Sequence, residues 1–154
     1  MGLFDNVKNI VNGTKSAPPP PPQPQAQQSR KILIVEDDEY LRNLYKEILT
    51  AENYTVMTAE NGQVGLDTIT SQRPDLVLLD LMMPVMDGKT MLHRVRAMPE
   101  FEKLPIIVLT NAGDMNSMHE TKVLGNANDF LIKANVTPED IVNRVKSLLQ
   151  FSEI

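Results

Sequence analysis

The sequence predicts an α/β protein: a doubly wound, five-stranded parallel sheet of order 2-1-3-4-5, with helices on both faces in a three-layer αβα arrangement. Three observations lead there. Five short runs rich in β-branched residues and leucine recur between residues 31 and 150, each followed by a helical pattern of varying strength. The first, third and fourth runs are nearly all apolar, as strands covered on both faces must be. At 154 residues and 42% hydrophobic content the chain can bury one core of ordinary size, and five strands alternating with helices fit the 2-1-3-4-5 winding.

The first strand is KILIV (31 to 35). After it, Leu41, Leu44, Tyr45, Ile48 and Leu49 fall at i, i+3, i+4, i+7 and i+8, one continuous helical stripe. TVMTA (55 to 59) is the second strand, and the helix after it is weakly signalled. LVLLD (76 to 80) is the third; its apolar run ends on an aspartate and leads into the methionine-rich loop LMMPVMDG. IIVLT (106 to 110) is the fourth, followed at 114 to 124 by little beyond Met115, Met118, Val123 and Leu124. DFLIK (129 to 133) is the fifth. The last helix has Thr137 as its cap, Pro138 in its first turn, and Ile141, Val142, Val145, Leu148 and Leu149 as its apolar face.

The first 30 residues differ in kind. Residues 16 to 29, SAPPPPPQPQAQQS, hold six prolines and no charge, the composition of an extended spacer and not of a core. Before it, MGLFDNVKNIVNGTK places Leu3, Phe4, Val7, Ile10 and Val11 at helical spacing. The chain therefore divides into a short amphipathic segment (1 to 15), a disordered Pro/Gln-rich linker (16 to 29) and a globular domain (30 to 151). A helix so short needs a partner for its apolar face. We expect it to dock on a partner protein or, less favourably, on a membrane surface, held off by a spacer that spans roughly 40 Å at about 3.1 Å per residue.

Composition closes off other classes. Without cysteine there is no disulfide framework, thiolate metal site or cysteine nucleophile, and a cytoplasmic location fits. His93 and His119 lie on separate segments and read as surface residues. With 20 acidic and 15 basic residues and no basic run, direct nucleic-acid binding is not expected. No apolar stretch reaches the roughly 18 residues of a transmembrane segment.

In a doubly wound sheet, ligands bind beyond the carboxyl ends of the strands, where the winding reverses between the first and third. There the sequence puts Glu36, Asp37 and Asp38 after the first strand, Asp80 at the end of the third, Thr110 at the end of the fourth and Lys133 at the end of the fifth. Glu36, Asp37 and Asp80 set three negative charges against one lysine, and such a cluster takes up protons or binds a cation. Oxygen-only donors favour a hard ion such as Mg²⁺. A carboxylate beside Mg²⁺, lysine and a hydroxyl suits phosphoryl chemistry, with the aspartate as acceptor.

ILIVEDDEYLR, PDLVLLDLMMPVMDG, PIIVLT and DFLIK together resemble the successive signatures of the receiver domain of bacterial response regulators, over residues 31 to 150. The resemblance implies the flavodoxin-like receiver fold and a phosphoacceptor switch of a two-component phosphorelay, like the chemotaxis receivers. Asp80 resembles the phosphoacceptor, Glu36 and Asp37 the acidic pair that holds Mg²⁺ with Asp80, and Met82 stands where a backbone carbonyl completes the metal shell. Thr110 resembles the hydroxyl residue that moves toward the phosphoryl group, Lys133 the lysine that pairs with it, and Phe130 the switch aromatic. Asp38 falls outside the pair and reads as the cap of the first helix. The implied partner upstream is a sensor histidine kinase or phosphotransfer protein. Only FSEI follows Gln150, so output is expected through a partner protein or the N-terminal segment.

Two positions depart from the family pattern. Ala134 follows Lys133 where the family commonly has a proline in a cis peptide; a cis bond before a non-proline residue costs about 2.5 to 4 kcal/mol, so the loop at 134 to 137 is expected to take another path. Asn111 follows Thr110 where a small residue is usual. Two other functions compete. A phosphohydrolase of the haloacid-dehalogenase kind also uses a strand-tip aspartate, but it needs a second aspartate two residues on, where this chain has Met82. A non-phosphorylated docking module would not need the intact set Asp37, Asp80, Thr110 and Lys133. The expected role is a switch more than an enzyme.

Overall fold

The computed structural model describes residues 17–21, 28–111, 113 and 126–151. The amphipathic segment at 1 to 15, part of the linker and the weak pattern at 114 to 124 lie outside the described residues, as does His119. The elements run β1 (Lys31–Val35), α1 (Glu39–Ala51), β2 (Thr55–Ala59), α2 (Gly62–Gln72), β3 (Leu76–Asp80), α3 (Gly88–Ala97), a 3₁₀ turn (Pro99–Phe101), β4 (Ile106–Thr110), β5 (Asp129–Ile132) and a last helix, here α4 (Pro138–Phe151).

All strand pairs are parallel and the order is β2-β1-β3-β4-β5. Alternation splits the central strands between two cores. Leu33, Val35, Val77, Leu79, Ile106 and Val108 face Ile69 of α2 and Met91, Leu92 and Val95 of α3. Their neighbours Ile32, Ile34, Leu76, Leu78, Ile107 and Leu109 face Tyr45 and Leu49 of α1 and Ile141, Val145 and Leu149 of α4. Because every side chain of β3 and β4 is covered, neither strand can show a polar alternation, which is why both read as unbroken apolar runs.

The caps explain where the helices start. Asp38 accepts from the Leu41 N–H at 2.9 Å, as its place in the sequence suggests. Asn61 and Asp87 do the same for Val64 and Thr90, at 3.0 and 2.7 Å. Thr137 and Asp140 cap α4 reciprocally, each backbone N–H donating to the other's side chain. The sequence signal for α2 is weak because its buried face is Gly62, Gly65 and Ile69, two of them without side chains to mark a stripe.

β5 closes at Ile132, one residue short of the run DFLIK. Lys133 is the first residue of a turn, although its N–H still donates to the Thr110 carbonyl at 2.8 Å. Beyond it, the N–H groups of Asn135 and Val136 both donate to the Ile132 carbonyl, at 2.9 and 3.1 Å, and no cis peptide occurs among the described residues. The path after Lys133 is thus a tight all-trans turn. Half-buried Arg96 secures the approach to β5, donating to the carbonyls of Asn126 and Phe101 and to Asn128 Oδ1, which itself accepts from the Ile106 N–H.

Candidate functional site

Strand register brings the polar termini together. β1 and β3 run side by side to Val35 and Leu79, so Glu36 and Asp80 emerge next to each other. β4 lies on the other side of β3, with Asp80 opposite Leu109 and Thr110 one residue beyond; Thr110 in turn pairs with Ile132, which places Lys133 next in line.

Glu36 and Asp80 are buried while Asp37 is exposed. One carboxylate oxygen from each of Glu36, Asp37 and Asp80 lies within 4.8 Å of the other two. Lys133 Nζ sits 2.7 Å from Glu36 Oε2 and 3.2 Å from Asp80 Oδ2, bridging the two buried acids. The other Asp80 oxygen accepts the Met82 N–H at 3.2 Å, and Glu36 Oε1 accepts the Asp38 N–H at 3.2 Å. The Thr110 hydroxyl donates to the Asn111 carbonyl at 3.2 Å. Of the expected residues, Glu36, Asp37, Asp80 and Lys133 thus meet directly, with Met82 and Thr110 beside them. Phe130 stands apart on β5, 39% exposed.

Burial dominates the electrostatics. It pushes the Glu36 carboxyl up to about 7, against the opposing hydrogen bond from Lys133 and with the help of the Asp80 charge. Asp80 is raised for the same first reason, with Lys133 and the Met82 N–H opposing. For Lys133, burial alone would lower the ammonium, but contacts with Glu36 and Asp80 outweigh it and the net direction is up.

The donor set fits a hard divalent ion. All three side chains offer oxygen, and once ionised the three carboxylates outnumber the one ammonium by two negative charges. Glu36 Oε2 is buried against Lys133 Nζ at 2.7 Å, so a metal ion would share this carboxylate with the lysine.

Arg42 is a residue the strand-tip argument missed. From the second turn of α1 its guanidinium donates to the Glu36 carbonyl at 2.9 Å and the Asp37 carbonyl at 3.3 Å, tying down the backbone that carries both acids. In the sequence it is a single arginine on a helix, and nothing marks it as facing back toward the strand. Gly88 is a second. A Cβ there would stand 2.1 Å from the Asp80 carbonyl oxygen, so only glycine lets α3 start this close to the phosphoacceptor candidate.

Comparison with known proteins adds an independent line. Residues 32–146 match the family model described as response regulator receiver domain. The chain is 36% identical over 121 residues to sporulation initiation phosphotransferase F of Bacillus subtilis, covering 79% of this chain and 94% of that protein. It is 38% identical over 120 residues to the phosphate regulon transcriptional regulatory protein PhoB of Rhizobium meliloti, covering 78% of this chain and 52% of that protein, so it spans about half the length of this relative. Among solved structures, a chemotaxis protein, CheY4 of Vibrio cholerae, superposes with a TM-score of 0.70 at 28% identity, over 78% of this chain and 98% of that one.

Proposed function

Since the chain belongs to the response regulator receiver domain family, we propose that it is a phosphoacceptor switch in which Asp80 takes a phosphoryl group from the phosphohistidine of a sensor kinase or phosphotransfer protein. The observation that carries this reading is the bridge of Lys133 between Glu36 and Asp80, with Asp37 alongside. One cation already serves two buried acids, and the remaining negative charge matches a divalent ion.

In the transfer, an Asp80 carboxylate oxygen attacks phosphorus as the bond from phosphorus to the histidine nitrogen breaks. Glu36, Asp37, Asp80 and the Met82 carbonyl would hold Mg²⁺, which when bound neutralises charge on the phosphoryl oxygens. The Met82 N–H fixes the orientation of the Asp80 carboxylate. Lys133, now shared between two carboxylates, gains a phosphoryl oxygen as a stronger partner. Thr110 donates to its own neighbour's carbonyl; turning that hydroxyl toward a phosphoryl group exchanges a neutral acceptor for a charged one, which favours the rearrangement. Phe130, 39% exposed on edge strand β5 and opposite Val108, would change its exposure as Thr110 moves, and so change the surface a partner reads.

Tyr40, Met82 and Val85 are exposed at the same end of the sheet, an apolar rim suited to a donor domain. Among the described residues no helix is long and apolar enough to cross a membrane. The test is labelling by a small phosphodonor with and without Mg²⁺. We expect label with the ion, none in chelator, and none in Asp37→Ala; normal labelling in chelator contradicts the metal assignment.

A further inference from the structure

The β3–α3 loop, residues 81 to 87, carries backbone in an unfavourable conformation beside Asp80. Val85 has a φ of 68°, the left-handed region, and the Met86 N–H donates to the Pro84 carbonyl at 2.8 Å, closing a three-residue turn around it. A β-branched residue is strained there, and such a turn persists only where its surroundings hold it. The Val85 side chain supplies no hold, being 84% exposed. The base of the loop is closed by the Gly88 N–H donating to the Leu81 carbonyl at 2.9 Å. Among the described residues, the one hydrogen bond that reaches the loop from outside the β3–α3 unit is from the Gly62 N–H at the start of α2, to the Met86 carbonyl at 3.0 Å.

Contact at that point leaves no room for a side chain. A Cβ on Gly62 would stand 2.5 Å from the Met86 carbonyl oxygen, 3.1 Å from its carbonyl carbon and 3.0 Å from its Cγ. Two of those three atoms are backbone, so a rotamer change cannot relieve the clash and the loop itself must move. The other end of the same loop bears the Met82 N–H that holds Asp80 Oδ1.

We propose that Gly62 is a positioning residue for phosphoryl transfer: its N–H and its missing side chain clamp the strained Val85–Met86 turn to α2, and through the loop set the Met82 backbone against Asp80. The proposal rests on the reading of Asp80 as phosphoacceptor. Gly65 provides the control. It lies on the same helix, and the three atoms nearest a Cβ there are all in side chains, Met91 Sδ at 3.0 Å and the Val35 methyls at 3.0 and 3.1 Å. Gly62→Ala and Gly65→Ala both add one methyl to the buried face of α2, but only the first pushes on the loop.

In the full chain, Mg²⁺ affinity by titration calorimetry, the rate of labelling by acetyl phosphate, the unfolding midpoint and, without metal, hydrogen exchange of the residue 62 amide are compared. The amide is expected to be protected in the natural chain and to lose protection in Gly62→Ala. Gly62→Ala should weaken Mg²⁺ binding about tenfold, the size expected when a group supporting the ligands is lost, and slow labelling in parallel. Gly65→Ala should lower the unfolding midpoint while leaving both within about twofold. If Gly62→Ala folds poorly, the same substitution is made in a Val85→Gly background, where the turn is unstrained, and is compared with Val85→Gly alone; weakened Mg²⁺ binding is again expected. Equal Mg²⁺ affinity and labelling in the Gly62 and Gly65 variants, or in the two Val85→Gly chains, overturns the proposal. Absence of labelling in the natural chain overturns the assignment of Asp80, and the proposal with it.

Discussion

At the scale of single residues, Glu36 sets the pH behaviour of the site. Its carboxyl is raised from the ordinary carboxylate range to about 7, first by burial. The folded protein therefore binds this proton more tightly than the unfolded chain does, and stability without metal should fall as pH rises through the window from about 4.5 to 7. Asp80, raised in the same direction, adds to the fall. Lys133 does not contribute in this window, because a raised lysine stabilises at every pH below its ordinary value and is lost only above it. Chemical denaturation in chelator between pH 5 and 8 should show the decline, Glu36→Gln should flatten it, and Mg²⁺ should reverse it by stabilising the ionised form. Stability that rises with pH over that range contradicts the burial argument. Lys133→Ala divides the two roles of the lysine: Mg²⁺ affinity should be kept or improved, since a competing cation is gone, while output on phosphorylation is lost. Equal affinity together with unchanged output would make Lys133 incidental. Arg42→Ala, which frees the Glu36 and Asp37 carbonyls, should weaken Mg²⁺ binding without touching a ligand side chain.

At the scale of elements, what the sequence made legible follows from what each element buries. β1, β3 and β4 read clearly because both their faces are covered, and α1 and α4 because their buried stripes consist of large side chains. α2 did not, since Gly62 and Gly65 occupy its buried face; close approach to Met86 and Val35 selects glycine where periodicity looks for leucine. Edge strand β5 is only partly covered, so its end at Ile132 was set by the turn at Lys133 and not by hydrophobicity. The caps, by contrast, were legible: Asp38 and Thr137 do what residue type and position suggest. Asp87 caps α3 immediately before Gly88, the residue packed against the Asp80 carbonyl. Replacing it with alanine should destabilise the protein by about 1 kcal/mol, the usual cost of a lost N-cap, measured by urea denaturation; no loss of stability would mean that α3 is held by packing alone.

At the scale of the whole molecule, the site was legible because four strands deliver polar residues to one end of a sheet whose topology can be read from its apolar runs. Groups that shape the site from a distance were not, because Arg42 and Gly62 act through backbone carbonyls, and carbonyls leave no trace in a sequence. Deletion of residues 1 to 15 separates the receiver from what precedes it. Labelling of Asp80 should persist in the truncated chain while localisation or partner capture in cells is lost; unchanged localisation would make that segment a simple tail. The most direct measurement is peptide mass spectrometry after incubation with acetyl phosphate and Mg²⁺, comparing the natural chain with Asp80→Asn. One base-labile phosphoryl group on the peptide bearing Asp80, absent from Asp80→Asn, is the result the account predicts, and undiminished labelling of Asp80→Asn is the result that would contradict it.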